Sequence, residues 1–257
     1  MIGLAFNLNI KIVSILLVVG GCLLAYMLHG HKRHILDAVD AVRMVTIPER
    51  NTWAERQLEL LKCDPEECIW PATTKQEVPR LEIKVIAPHL NIGEIACYVS
   101  HMRLYREMIR NPQWKRLLIL EDDIQTTRYF HIHHVQRALD DLDTLDPEWD
   151  MLYLGVCWDM CSNREAFTQR VVRTYFPGCT HAYIISQRGA QRLIHLLYPI
   201  QNSLDRAIKG AARAEMLHCY AMEHNMFVQE RKELKSELGH EREVLRMCLD
   251  RKESEPA

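Results

Sequence analysis

No sign of charge dominates this chain. Lysine and arginine number 32 against 34 aspartates and glutamates, a formal net charge of -2, so no global basic field gathers nucleic acid. Nor is there a basic stripe interleaved with aromatics, which argues against a single-strand binding groove. No cysteine pair has C-x2-C spacing and no matching Cys/His half follows at regular distance, so no local zinc module is encoded. N-x-[ST] sequons are missing, which removes one sign of a secretory route without deciding against it. There is no internal repeat and no low-complexity tract. Hydrophobic content of 48% and charged content of 26% are ordinary for a globular protein. A length of 257 residues allows one large domain or two small ones.

One long apolar run is present, at the N-terminus. Ile12 to Leu28 carries no charge and lies at the short end of the range for a membrane-spanning helix. No small-x-small cleavage site follows it, so residues 1–29 are expected to be a short tail and a transmembrane signal anchor rather than a cleaved leader. His31-Lys32-Arg33-His34 follows the span, and by the positive-inside rule it favours a cytoplasmic C-terminal domain. A single-pass protein of the endoplasmic reticulum or Golgi would instead hold that domain in the lumen, and both orientations stay open. The nine cysteines include two close pairs, Cys63/Cys68 and Cys157/Cys161. An oxidising lumen would allow a disulfide within each; free, partly buried thiols are the other reading.

Residues 30–40 read as a polar stem. Ala41 to Ile47 reads as a strand stopped by Pro48, and Glu49 to Leu61 has helical periodicity. Ile69 to Thr73 is a second short strand, and residues 74–90 are irregular. Asn91 followed by Glu94 is a capping pattern for a helix running to about Arg110. Phe130 to Leu142 and Arg188 to Leu197 read as helices, and Trp149 to Val156, Arg170 to Phe176 and Ala182 to Ser186 as strands. This alternation through residues 41–200 implies an α/β sandwich around one sheet. Glu230 to Ala257 reads as a peripheral helix ending in a charged tail.

The most informative stretch is Leu117 to Asp123, four apolar residues running into Glu121, Asp122 and Asp123. A buried strand that ends in acids delivers negative charge to the rim of a sheet, where open α/β folds bind ligands. In an extended chain residues i and i+2 face the same way, so Glu121 and Asp123 are expected on one face with Asp122 turned away. Such oxygen pairs suit hard divalent ions, Mg²⁺ or Mn²⁺. The alternative is a polar strand end followed by a solvated turn.

Five segments in order resemble glycosyltransferase family 25, the group of lipooligosaccharide and procollagen galactosyltransferases. Gly93 to His101 is similar to its G-E-x-[AG]-C-x-x-S-H helix start, and Leu118 to Asp123 to its L-x-L-E-D-D strand. Trp149 to Gly155 resembles W-D-x-x-x-L-G. Thr180 to Ser186 with Gly189-Ala190 resembles T-x-A-Y-x-[IV]-[ST]-x-x-G-A, and Met226 to Gln229 resembles L-F-V-Q. Tyr105 departs from the family's usual Trp, and Arg43 to Arg50 matches the family opening only loosely.

The resemblance implies a GT-A type nucleotide-sugar-binding fold in a catalytic domain over residues 41–240, with 241–257 as tail. It implies inverting transfer of a sugar, commonly galactose, from a UDP-sugar donor to a glycan or protein acceptor. Mn²⁺ or Mg²⁺ would be held by Glu121 and Asp123. Arg50, Ser100, His101, Glu121, Asp122 and His181 would line the donor site; for Ser100 and His101 a core or capping role is the alternative. The base that takes the acceptor proton would be Asp205 first, with Glu223 and Asp159 behind it; for Asp205 the alternative is a helix N-terminal acid. A metal-dependent hydrolase of nucleotide sugars and a silent glycan- or partner-binding member are the competing readings.

Overall fold

The computed structural model describes residues 34–157, 164–230 and 234. The expected anchor, Asp159, Cys161 and the charged tail lie outside the described residues. Among the described residues no helix is long and apolar enough to cross a membrane.

The central element is a mixed sheet. β1 (Ala41–Thr46) is parallel to β2 (Ile69–Pro71) on one side and to β3 (Arg116–Glu121) on the other. β8 (Ala182–Ser186) runs antiparallel between β3 and β5 (Met151–Gly155). β5 is parallel to β9 (Cys219–Met222), and β7 (Val171–Thr174) and β6 (Arg164–Ala166) close the far edge antiparallel. The order is β2-β1-β3-β8-β5-β9-β7-β6, and a separate ribbon pairs β4 (Ile124–Thr126) with β10 (Phe227–Gln229).

Both faces of this sheet are covered, which is why β3 reads as an unbroken apolar run rather than an alternating one. Leu118 and Leu120 pack with Ala54 and Leu58 of α1 (Asn51–Leu60) and with Val135, Leu139 and Leu142 of α4 (Ile132–Leu145). Leu117 and Ile119 pack on the other face with Tyr98, Met102 and Tyr105 of α3 (Ile92–Arg110), Leu193 of α5 (Gln187–Leu196) and Ile208 of α6 (Leu204–Arg213). The short α2 (Pro65–Cys68) leads into β2, with the Asp64 side chain accepting from the Glu66 N–H. The result is the expected α/β sandwich.

The capping of α3 is as expected. Asn91 Oδ1 accepts from the Glu94 N–H at 3.0 Å, and Glu94 Oε2 accepts from the Asn91 N–H at 2.9 Å. Three expectations need correction. The segment read as a stem folds into the domain: a 3₁₀ turn over Ile35–Asp37 leads into β1, and Ile35, Ala38 and Val39 are buried in the core. The helix from Glu49 is preceded by a 3₁₀ turn over Pro48–Arg50, so the α-helix starts at Asn51. Cys157 forms a disulfide with Cys179 rather than with a close neighbour, while Cys63 and Cys68 follow the other open reading and are buried free thiols. The antiparallel pairing of β5 with β8 brings the end of one strand beside the start of the other, which sequence proximity does not predict.

Candidate functional site

β1 and β3 are parallel neighbours, so their C-terminal ends lie side by side. A cleft of about 660 Å³ opens there, lined by the loop after β1, the loop after β2, the start of α3 and the acids that end β3. Glu121, Asp122 and Asp123 all line it, together with Glu49, Arg50, Lys75, Cys97, Ser100, His101 and Gln229.

The strand-period expectation for the acids fails because the strand ends at Glu121 and Asp122-Asp123 form a turn into β4. Each acid therefore takes its own direction. Glu121 Oε1 accepts from Thr180 Oγ1 at 2.7 Å and lies 3.3 Å from His101 Nε2, while the Glu121 N–H donates to the His181 carbonyl at 2.8 Å. Asp122 turns toward β1: its Oδ1 accepts from Arg50 Nη1 at 2.8 Å and its Oδ2 lies 3.4 Å from the Ile47 N–H. Asp123 faces the ribbon, where Gln229 Nε2 donates to its Oδ2 at 3.0 Å.

These surroundings set different charge preferences. Burial pushes the Glu121 carboxyl up, but His101, Thr180 and the charge of His181 outweigh it and hold the group below its ordinary value. Burial also raises Asp122, and here the Arg50 guanidinium only partly offsets it. Burial lifts the Cys97 thiol well above its usual range, with Glu121, Asp205, Asp123 and Asp122 adding to the rise. Burial and the neighbouring acids thus both disfavour the Cys97 thiolate.

The other expected residues divide. His101 is fully buried, with Nδ1 2.8 Å from the Tyr183 hydroxyl, which is itself 2.7 Å from the Tyr105 hydroxyl. It joins the core to the rim rather than presenting an open face to the cleft. Ser100 borders the cleft, but its hydroxyl accepts from the Thr73 N–H and donates to the Ala96 carbonyl, both at 2.8 Å. It fixes the loop after β2 onto α3. His181 is buried behind Glu121, with Nε2 3.3 Å from the Phe227 carbonyl. Asp205 sits in the first turn of α6, where its Oδ1 accepts from Ser203 Oγ and the Arg206 N–H; its field reaches Cys97. Glu223 follows β9, its N–H donating to the Arg170 carbonyl. Neither Asp205 nor Glu223 lines the cleft.

Three contributors were not singled out from the sequence. Thr180 and Gln229 each hold one acid of the rim, and Asn225 ties the end of β5 through both of its amide atoms to Val156. Thr180 and Gln229 stand inside the matched segments, which is the signal that marks them.

Gly155 carries a sharp steric demand. A Cβ there would lie 2.3 Å from His181 Nε2 and 2.4 Å from the Phe227 carbonyl oxygen. One neighbour is backbone, so the clash has no cheap escape. Gly155→Ala is expected to cost about 3 kcal/mol of stability, read as a drop in Tm of roughly 6–12 °C. An unchanged Tm would show that His181 is not seated against this strand.

The acids offer the oxygen donors that hard cations take, and two carboxylates completed by substrate phosphates are an ordinary Mg²⁺ or Mn²⁺ arrangement; the surroundings of Glu121 favour its charged form. Among the described residues Glu121 also belongs to a compact group of three ligand atoms with Cys97 and His101, which Asp123 does not join.

Comparison with known proteins gives the frame for this geometry. Procollagen galactosyltransferase 2 of Homo sapiens is 28% identical over 108 residues, covering 41% of this chain and 17% of its own length. Procollagen galactosyltransferase 1 of Danio rerio is 25% identical over 172 residues, covering 60% of this chain and 28% of its own. The chain therefore spans well under a third of the length of these curated relatives. Among solved structures, the mannose-1-phosphate geranyltransferase of Thermus thermophilus aligns with 12% identity and a TM-score of 0.37 over 73% of this chain and 74% of that one. The family model described as glycosyltransferase family 25 (LPS biosynthesis protein) matches residues 34–208, which takes in the first strand, the acid rim and the first turn of α6, and the chain belongs to that family.

Proposed function

We propose that this chain is a GT-A type, inverting glycosyltransferase that moves a sugar, galactose first, from a UDP-sugar to a hydroxyl of a glycan or protein. The observation that carries the reading is the convergence of Glu121, Asp122 and Asp123 on one cleft at the C-terminal ends of parallel strands. Its volume of about 660 Å³ falls within the roughly 300–1,000 Å³ of small-molecule sites.

A diphosphate is repelled by such a rim unless positive charge lies between. Glu121 and Asp123 would hold Mn²⁺ or Mg²⁺, which supplies charge to the diphosphate and to the departing nucleotide. Asp122 does different work: it fixes the Arg50 guanidinium at the cleft mouth, where arginine pairs with phosphate oxygens. Thr180 and His101 orient Glu121, and Gln229 orients Asp123. Asp205 is our proposed base on the family resemblance alone; it stands in the first turn of α6, outside the lining of the cleft, and the acceptor hydroxyl would have to reach it there. The run Ile12–Leu28 supports a membrane anchor, and the Cys157–Cys179 disulfide supports an oxidising lumen for the domain.

Calorimetric titration of the protein with a panel of UDP-sugars, with and without Mn²⁺, tests the reading. Manganese-dependent binding of one UDP-sugar, followed by its transfer to an acceptor, is the expected result. Release of free sugar with no acceptor product would favour the hydrolase. Failure of a folded sample to bind any nucleotide sugar would favour a silent binding module.

A further inference from the structure

We infer that Cys157, Cys179 and His181 form a binding site for a soft divalent cation, Zn²⁺ by chemistry, whenever their disulfide is reduced. The site is distinct from the oxygen-lined rim and does not depend on the function proposed above.

The three ligand atoms lie within 4.8 Å of one another, although the two cysteines are 22 residues apart in sequence. The imidazole is set up as a ligand. Its Nε2 lies 3.3 Å from the Phe227 carbonyl oxygen, and a carbonyl only accepts, so Nε2 carries a proton and Nδ1 is the nitrogen that would take the ion, giving up any proton it holds. Nδ1 lies 3.7 Å from Cys157 Sγ. A backbone carbonyl on one ring nitrogen with the other turned to the ion is the usual outer-shell arrangement of a metal-binding histidine. Tetrahedral zinc, with bonds of about 2.3 Å to sulfur and 2.0–2.1 Å to nitrogen, needs sulfur and nitrogen about 3.6 Å apart and its two sulfurs about 3.8 Å apart. The Cys157–His181 spacing already satisfies the first, and breaking the disulfide frees the sulfurs to separate to the second. The Gln229 amide oxygen lies 3.2 Å from Cys157 Sγ and 3.8 Å from Cys179 Sγ, where it offers a fourth donor. His181 is fully buried, and the absence of a side chain at Gly155 is what makes room for its ring. Two sulfurs and an imidazole select zinc over the hard ions that suit the carboxylates.

The chemistry balances with a named reductant. A phosphine breaks the S–S bond and delivers two electrons. Each sulfur takes up a proton, and the phosphine leaves as its oxide with oxygen from water. Zn²⁺ then displaces both thiol protons, and any proton on Nδ1, to solvent and binds the two thiolates and Nδ1.

The consequence is a staple that survives either redox condition. Cys179 adjoins Thr180, which holds Glu121, and Gln229 holds Asp123 with its other amide atom. In an oxidising compartment the disulfide closes this corner; in a reducing one the cation does.

The test uses the full-length protein, oxidised or reduced with a phosphine, titrated with Co²⁺ as a spectroscopic stand-in for Zn²⁺. The reduced protein is expected to bind one equivalent with thiolate-to-cobalt charge-transfer absorption, and the oxidised protein to show no such band. Cys157→Ser and Cys179→Ser should each lose the band, and Cys97→Ser and Cys63→Ser should keep it. Zn²⁺ at a hundredfold excess over its Kd should raise the Tm of the reduced wild type by roughly 5–10 °C and leave the oxidised form unchanged. The wild-type comparison stands even where a variant fails to fold. Absence of the band in reduced wild type, its presence in the oxidised form, or its loss in Cys97→Ser with retention in Cys157→Ser would overturn the assignment.

Discussion

Asp123→Asn is expected to lower sugar transfer by about 10²–10³-fold while shifting Tm by no more than a degree or two. Asp123 stands in the turn after β3, at the rim rather than in the core, and Gln229 Nε2 donates to its Oδ2. Asparagine keeps an oxygen acceptor in that place, so the tie to β10 persists and the fold with it. What disappears is one negative charge of the proposed cation pair. Loss of transition-state charge stabilisation should appear mainly in kcat, together with a higher Mn²⁺ requirement. Asp122→Asn makes a useful contrast. That acid is engaged by Arg50, so its loss should release the guanidinium and raise the KM for the donor more than it lowers kcat. Steady-state kinetics across a Mn²⁺ series, with thermal melts alongside, separates the two. Wild-type turnover in Asp123→Asn would remove Asp123 from the metal assignment.

The distribution of what was readable in the chain follows from the range over which each interaction acts. β3 was plain because a strand covered on both faces must be apolar throughout, and Leu117 to Leu120 are. The cap of α3 was plain because Asn91 and Glu94 bond within one turn. β9 was missed because Cys219–Met222 is four residues with no alternation to mark it. The acid triplet was found as a rim, but its directions were misjudged: strand periodicity stops where the turn begins, and no local rule announces that Asp122 will face Arg50 across 72 positions. The Cys157–Cys179 pairing is outside both open readings of the cysteines for the same reason: Cys161 is near Cys157 in sequence, yet Cys179 is brought to it by β5–β8 pairing. Thr180 and Gln229 are ordinary polar residues whose roles exist only once β8 and β10 are placed. Local chemistry thus pointed to the acid rim as a candidate site, and sheet topology decided which atoms meet in it.

A loss of stability as large as that at Gly155 is expected at Asp150, also away from the cleft. Its side chain is fully buried, with Oδ2 accepting from Arg192 Nη1 at 3.0 Å and from the His218 N–H at 2.8 Å. Arg188 Nε lies 3.9 Å from Oδ1. The backbone is equally engaged: the Asp150 N–H donates to the His218 carbonyl, and its own carbonyl accepts from the Ser186 N–H. One residue therefore joins the approach to β9, the start of β5 and the junction of β8 with α5. A Cβ on Gly189 would lie only 2.3 Å from the Asp150 carbonyl oxygen, so α5 is pressed directly onto this point. Asp150→Ala removes the carboxylate and leaves the half-buried His218 N–H without its acceptor, at about 1–3 kcal/mol. It also breaks a charge pair. The full penalty for a buried pair is about 3–5 kcal/mol, and it must be reduced here because the Arg192 side chain is 36% exposed. A net loss of about 3 kcal/mol follows, with Tm falling by roughly 6–12 °C. Asp150→Asn keeps an oxygen for the His218 N–H and should lose less than half as much. Equal losses in the two variants would show that the ion pair, not the backbone acceptor, carries the stability of this corner; no loss in either would mean that α5 and β9 are held there by apolar packing alone.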